Sequence, residues 1–208
     1  MPRVGIIDYQ AGNIRSIANA FEHLGAQVLQ VREPADMAGA SHLLLPGVGA
    51  FGYCAQRLHA SGLLPAISDW TLTHKKPILG ICVGMQLLAD SSSEMGLQQG
   101  LGWIGGQVRQ IRSDPPQVRV PHVGWNTATF ALPFGSFAAG DAADFYFDHS
   151  YAYLQPRLGQ ALALCQHGGD FCAALVHDNL VAAQFHPEKS QAAGMRFLQA
   201  FLQMVPSG

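Results

Sequence analysis

The residues best able to do chemistry in this chain are Cys82, His186 and Glu188. Cys82 lies in Pro77-Ile-Leu-Gly-Ile-Cys-Val-Gly-Met-Gln-Leu-Leu88, which reads as a buried apolar strand, a sharp turn and the start of a helix. A thiol on such a turn is lifted above the sheet edge and faces the positive end of the next helix, which favours thiolate. Gly80 and Gly84, two residues before and after it, let the strained turn close. A thiolate nucleophile needs a base, and the base needs an orienting group. Phe185-His186-Pro187-Glu188 offers both. Residues two apart in an extended segment project to one side, and Pro187 biases His186 toward extended backbone. Singly, each residue has a plainer reading: a core thiol, a hydrogen-bonded strand-end imidazole, an acidic first-turn residue of the last helix. Their combination in the order Cys, His, Glu favours catalysis.

Acyl chemistry at a thiol also needs donors for a developing oxyanion. Leu45-Pro-Gly-Val-Gly-Ala-Phe51 follows a buried strand, and its glycines can place a peptide N–H unusually. The N–H of Val83, just after the nucleophile, is the second expected donor. Glycine makes both orientations of a peptide accessible, so a peptide flip in this segment is a natural switch.

The elements that must position these groups follow from periodicity. Strands are expected at 3–8, 27–31, 41–45 and 78–81, with a helix between Ile14 and Gly25 and a broken helical region from about Tyr53 to His74. This alternation predicts an α/β fold with a mixed, mostly parallel central sheet flanked by helices. After Gly106 the pattern changes to strands at 107–111 and 118–123 around an Asp114-Pro115-Pro116 turn. Further strands are expected at 144–153, 161–165, 171–176 and 180–185 with a turn at Asp178-Asn179, and a helix over 190–204. These form an antiparallel extension of one domain covering residues 1–208.

The 208 residues are 49% hydrophobic and 12% charged, enough for a substantial core. The net charge of −2 and the lack of a basic run give no reason to expect nucleic acid. The stretch around Cys82 is too short to span a bilayer, and the start reads as a strand, so neither membrane nor export is expected. Four cysteines without paired spacing then read as reduced cytoplasmic thiols. Nine scattered histidines lack zinc-type spacing, so no metal and no cofactor is expected.

Taken together, Gly80-Ile-Cys82-Val-Gly84 and His186-Pro-Glu188 resemble the triad (class I) glutamine amidotransferases, which have a flavodoxin-like α/β fold. A narrower likeness rests on further runs: Asp8-Tyr-Gln-Ala-Gly-Asn13 with Arg15-Ser16, Leu45 to Phe51, and Gly80 to Leu88. Val120-Pro-His-Val-Gly-Trp-Asn126, His149-Ser-Tyr151 and Gln184-Phe-His-Pro-Glu-Lys-Ser190 complete it. These resemble the branch that serves imidazole glycerol phosphate synthase in histidine biosynthesis. The resemblance implies hydrolysis of L-glutamine to glutamate and ammonia through a γ-glutamyl thioester on Cys82. Ammonia would then be channelled to a (β/α)₈-barrel cyclase subunit in a 1:1 heterodimer under allosteric control. It implies an oxyanion hole at Val48, Gly49 and Val83, and glutamine contacts at Gln86, Glu94, Ser150 and Tyr151. It also implies partner contacts at Asn13, Trp125, Tyr146 and Lys189.

Three positions depart from the family pattern. Gln10 stands where glycine is common, so the loop before Asn13 is expected to differ in φ/ψ. Asp148 puts a carboxylate where an apolar residue is usual. Val83 replaces a common leucine, a change of little consequence if its backbone does the work. Other branches usually carry a Gly-His-Gln run where Met85-Gln86 stands, or an Ala-Gly run after the cysteine. A fold-retaining activator or a partner-independent thiol hydrolase is a different class of reading.

Overall fold

The computed structural model describes residues 1–112, 118–154 and 160–205. Strands β1 (Arg3–Ile7), β2 (Gln27–Val31), β3 (His42–Leu45) and β4 (Ile78–Ile81) alternate with helices α1 (Ile14–His23), α2 (Phe51–Ala60) and α3 (Leu64–Ser68). A π-helical turn, Asp69–Thr73, extends α3. The turn helix α4 (Val83–Gln86) follows β4 directly. Two short strands, β5 (Ser91–Ser92) and β6 (Gln98–Gln99), precede β7 (Gln107–Gln110). Longer strands then dominate: β8 (His122–Phe130), β9 (Ala142–His149), β10 (Tyr151–Tyr153), β11 (Gln160–Gln166), β12 (Asp170–His177) and β13 (Leu180–Ala183). Helix α5 (Gln191–Leu202) closes the fold.

The main sheet has nine strands in the order β2-β1-β3-β4-β13-β12-β11-β8-β9. The first five run parallel, and the remaining pairings are antiparallel. β3 and β4 are buried at every residue, which is why, His42 apart, both read as apolar runs. α1 buries Ile17, Ala20 and Phe21 on one face. Asn13 caps it, its Oδ1 accepting from the Ser16 N–H at 3.5 Å. Under the antiparallel half, Phe130 stacks on Phe137 at 4.1 Å and Phe145 on Phe185 at 3.9 Å, while Phe197 of α5 meets Phe185 edge-on at 5.1 Å. Phe185 is fully buried and directly precedes His186, so this aromatic layer fixes where the imidazole emerges.

The architecture is the α/β fold expected from the sequence, with corrections in detail. The strand expected at 118–123 begins only at His122 and runs to Phe130; Pro121 has no N–H for a ladder. The single strand expected at 144–153 breaks at Ser150. Its first part stays in the main sheet, and Tyr151–Tyr153 pairs with β7 in a second sheet of order β10-β7-β5-β6. That sheet was not anticipated, because two-residue strands carry no periodic signal. The broken helical region begins at Phe51. The Asp114-Pro115-Pro116 turn lies outside the described residues.

Candidate active site

Cys82 occupies the junction of β4 and α4 with φ 54° and ψ −114°, a left-handed-side conformation costly for a residue with a side chain. The strain is held by close packing. A Cβ on Gly80 would lie 2.9 Å from the Gly84 carbonyl oxygen, and a Cβ on Gly84 would run into the Leu45 carbonyl. The Cys82 N–H donates to the Ala183 carbonyl at 2.8 Å, tying the elbow to the end of β13. The following helix is a single turn, with the Met85 and Gln86 N–H groups on the Cys82 carbonyl at 3.0 and 3.2 Å.

β4 and β13 are parallel neighbours with Ala183 opposite Ile81, so both deliver their next residues to the same sheet edge. His186 arrives there buried, with its N–H on the Tyr146 carbonyl at 2.9 Å. Its Nδ1 lies 2.9 Å from Glu188 Oε1, and its ring is a hydrogen-bond partner of the Cys82 sulfur. The expectation that His186 to Glu188 is extended is not met: Pro187–Lys189 is a 3₁₀ turn. The turn folds the carboxylate back onto the ring, and Ser190 Oγ braces it by donating to the His186 carbonyl at 2.6 Å and accepting from the Tyr146 N–H at 3.0 Å. Glu188 Oε2 is buried and has no hydrogen-bond partner among the described residues, so this carboxylate is spent on one imidazole.

Burial by itself would lower the His186 pKa. Hydrogen bonds to Cys82 and Glu188, together with their negative charges, outweigh it and push the imidazole up to about 10. The site therefore holds His186 as an imidazolium at neutral pH. That cation beside the Cys82 sulfur is a proton donor for a leaving amine.

A cavity of about 320 Å³ opens above the sulfur. It is lined by Cys82 and His186, by Val48, Gly49 and Val83, and by Gln86, Glu94, Ser150, Tyr151, Asp148 and Lys189. Not all of these side chains are free. Both N–H groups of Gln86 are committed, to the Tyr151 carbonyl at 2.9 Å and Gln184 Oε1 at 3.0 Å, so its own oxygen is what it can offer a ligand. Glu94 Oε2 accepts from the Phe51 N–H at 2.7 Å and so caps α2.

The expected oxyanion donors are not both available in this conformation. The Val83 N–H donates to the Gly47 carbonyl at 3.3 Å, so that carbonyl stands where an oxyanion would be stabilised. Gly49 has φ 98°, and a Cβ on Gly47 would meet Gly84 N at 2.7 Å, so the segment needs glycine at both places.

Of the residues expected to face a partner, three form one outward ladder. Trp125 is half exposed and meets Tyr146 edge-on at 6.2 Å, and Lys189 Nζ sits 5.4 Å above the Tyr146 ring. Asn13 is spent locally as the cap of α1. Gln10 has φ 65°, so the loop before Asn13 takes a glycine-like left-handed turn at the cost of strain. The Asp148 carbonyl lies 3.9 Å from Cys82 Sγ, and its exposed side chain shares the cavity mouth.

Sequence reasoning missed two groups. Gln184 is fully buried and its Nε2 lies 3.8 Å from Cys82 Sγ. Its signal was an amide two residues before His186 in an otherwise apolar strand. His122 and His149 form a buried pair at 2.9 Å, with His149 Nδ1 on the Tyr151 carbonyl at 2.9 Å and Asn126 Nδ2 on His122 Nε2 at 3.1 Å. Burial pushes their pKa values down to about 4 and about 3, so the pair is neutral and braces the Ser150-Tyr151 bend.

Residues 5–204 match the profile of the family described as Glutamine amidotransferase class-I. The chain is 44% identical over 207 residues to the imidazole glycerol phosphate synthase subunit HisH of Zymomonas mobilis, covering 98% of this chain and 96% of that protein. It is 42% identical over 213 residues to the HisH subunit of Rhodospirillum rubrum, covering 98% and 100%. A crystal structure of a glutamine amidotransferase superposes with a TM-score of 0.74 at 20% identity, covering 96% of this chain and 97% of the other. A chain of the PurLQS structure from Thermotoga maritima gives 0.69 at 19% identity over 97% of each. At those identities the solved structures speak for the fold.

Proposed function

The chain belongs to the class-I glutamine amidotransferases, and on that premise we propose that it is the glutaminase subunit of an imidazole glycerol phosphate synthase. In this reading it hydrolyses L-glutamine in the cytoplasm and passes ammonia to a (β/α)₈-barrel cyclase subunit in a 1:1 heterodimer. The observation that carries the reading is the buried Cys82–His186–Glu188 constellation at the floor of the cavity. It stands in a chain about two-fifths identical to HisH subunits along nearly its whole length.

The geometry supports a specific division of labour. The Cys82 thiolate attacks the side-chain amide carbon of glutamine, and the carbonyl oxygen becomes an oxyanion. The His186 imidazolium gives its proton to the leaving nitrogen, which departs as ammonia and leaves a γ-glutamyl thioester. The now neutral imidazole takes a proton from water, which attacks the thioester and releases glutamate. Glu188 holds the ring by Nδ1, so that the other nitrogen faces sulfur and substrate. Gln86, Glu94, Ser150 and Tyr151 are the groups placed to hold the glutamine backbone, and Trp125, Tyr146 and Lys189 form the face offered to the cyclase.

The Gly47 carbonyl on the Val83 N–H marks this conformation as a resting one. Turning the Gly47–Val48 peptide would replace that carbonyl with the Val48 N–H and complete the hole with Val83. Docking of the liganded partner is the event that drives the turn. The test is glutamate release by the purified chain with and without the cyclase subunit and its nucleotide ligand. Weak release alone with a large rise on adding the partner is expected. High partner-independent turnover would point to a free-standing hydrolase, and activation only by another synthase would point to another branch.

A further inference from the structure

The oxyanion strand is bonded at three successive carbonyls, and two of the donors are side chains with no part in the chemistry described above. The Pro46 carbonyl accepts from the Tyr9 hydroxyl at 2.6 Å. The Gly47 carbonyl accepts from the Val83 N–H at 3.3 Å, and the Val48 carbonyl accepts from the Cys54 thiol at 3.4 Å. Tyr9 follows β1 and Cys54 belongs to the first turn of α2, so two separate rigid elements grip the strand. Both residues are buried, and neither lines the cavity. They also lie close enough to each other to interact electrostatically. Burial raises both pKa values, that of Cys54 to about 11, so each group keeps its proton at neutral pH and remains a donor.

A single peptide plane turns by opposite changes of the ψ before it and the φ after it. The chain on either side keeps its course only if the neighbouring planes are held. Here the Pro46–Gly47 plane is held by Tyr9 and the Val48–Gly49 plane by Cys54. Among the described residues, the peptide between them is bonded only through the Gly47 carbonyl to Val83, the bond that the turn would break. We propose that Tyr9 and Cys54 are positioning residues for the glutaminase reaction, pivots that confine motion of the oxyanion strand to the Gly47–Val48 peptide and aim its N–H into the cavity. The inference rests on the glutaminase reading.

The test uses the full chain with the cyclase subunit and its nucleotide ligand, comparing Cys54→Ala, Cys54→Ser and Tyr9→Phe. Losing one neutral hydrogen bond that aims the strand lowers kcat for glutamine about three- to tenfold in Cys54→Ala and Tyr9→Phe, with KM within about twofold. Cys54→Ser keeps a hydroxyl donor and recovers most of the loss. Iodoacetamide alkylation of Cys82, followed by mass spectrometry, displaces iodide without forming an oxyanion, so its rate stays at the wild-type value in every variant. Wild-type kcat in Cys54→Ala, equal impairment in Cys54→Ser, or alkylation slowed in step with kcat would each overturn the pivots while leaving the glutaminase reading intact. A wild-type chain that releases no glutamate with its partner would overturn that reading and the pivots together. Should Tyr9→Phe fold poorly, the Cys54 pair carries the comparison.

Discussion

Gly47→Ala probes the oxyanion strand most directly. A Cβ built at residue 47 stands 2.7 Å from Gly84 N, 2.9 Å from Val83 Cβ and 3.0 Å from Val83 C. All three belong to the nucleophile elbow, where Cys82 already holds a φ of 54°. The elbow cannot retreat without moving the sulfur, so the oxyanion strand must move away from Val83. Overpacking of this kind costs about 1–3 kcal/mol. In a domain of this size that lowers the melting temperature by roughly 2–12 °C. The displaced strand no longer presents a donor opposite the Val83 N–H, and loss of one oxyanion donor costs about 10²–10³ in kcat. Steady-state glutamate release in the liganded complex should therefore show that fall with little change in KM. Iodoacetamide should still alkylate Cys82, because the sulfur and His186 remain. A Gly47→Ala enzyme with wild-type kcat would refute the assignment of this segment to the hole. An unchanged kcat with a raised KM would instead make it a ground-state binding loop.

Other expectations follow from the same contacts. His186→Ala should abolish glutamate release and, by stranding the buried Glu188 carboxylate, destabilise the chain by about 3–5 kcal/mol; in urea melts the His186→Ala/Glu188→Gln double variant should regain stability but not activity. Stability should fall on both sides of neutrality. His122 and His149, with folded values of about 4 and about 3 against 6.5 unfolded, bind protons more weakly when folded; their contribution is complete above about 6.5 and is lost as pH drops, at up to ~2.7 kcal/mol per pH unit for the pair. His186, raised to about 10, contributes fully below about 6.5 and loses that contribution as pH rises toward 10, and denaturant midpoints from pH 4 to 10 would show whether both limbs exist. Trp125→Ala should weaken cyclase binding about tenfold or more in a titration while leaving Cys82 alkylation unchanged. Gln10→Gly relieves a left-handed φ of 65° and should stabilise the chain by about 0.5–1 kcal/mol; a lower denaturant midpoint would contradict this.

The parallel half of the fold was legible because β1, β3 and β4 are short, largely apolar runs set between helical segments of clear periodicity. Cys82 and His186 were legible for the same reason: each ends such a run, so strand topology alone sends both to one edge. The antiparallel half was harder to read. Ser150 moves the chain from one sheet to another within a single alternating stretch, and alternation looks the same in either sheet. The His186–Glu188 contact was expected from an extended segment, but a 3₁₀ turn supplies it, because proline at the first turn position suits a helix start as well as a strand end. Gln184 and the His122–His149 pair were invisible singly. Their meaning lies in partners 98, 102 or 27 residues away in the chain, which no local pattern encodes.

The strand order has a bearing on the making of the protein itself. The nucleophile lies at the end of β4, and the strand that pairs with β4 on its other side, β13, is synthesised about a hundred residues later. Between them comes the whole antiparallel half. A ribosome that has released residues up to α4 has produced a thiol with neither imidazole nor carboxylate, and without the N–H bridge from Cys82 to Ala183 that secures the elbow. Closing that long loop is the slow, entropically costly step of assembly. Competence for hydrolysis is thus acquired all at once, only when β13 and the His186–Glu188 segment after it have emerged, and a chain interrupted before them cannot squander glutamine.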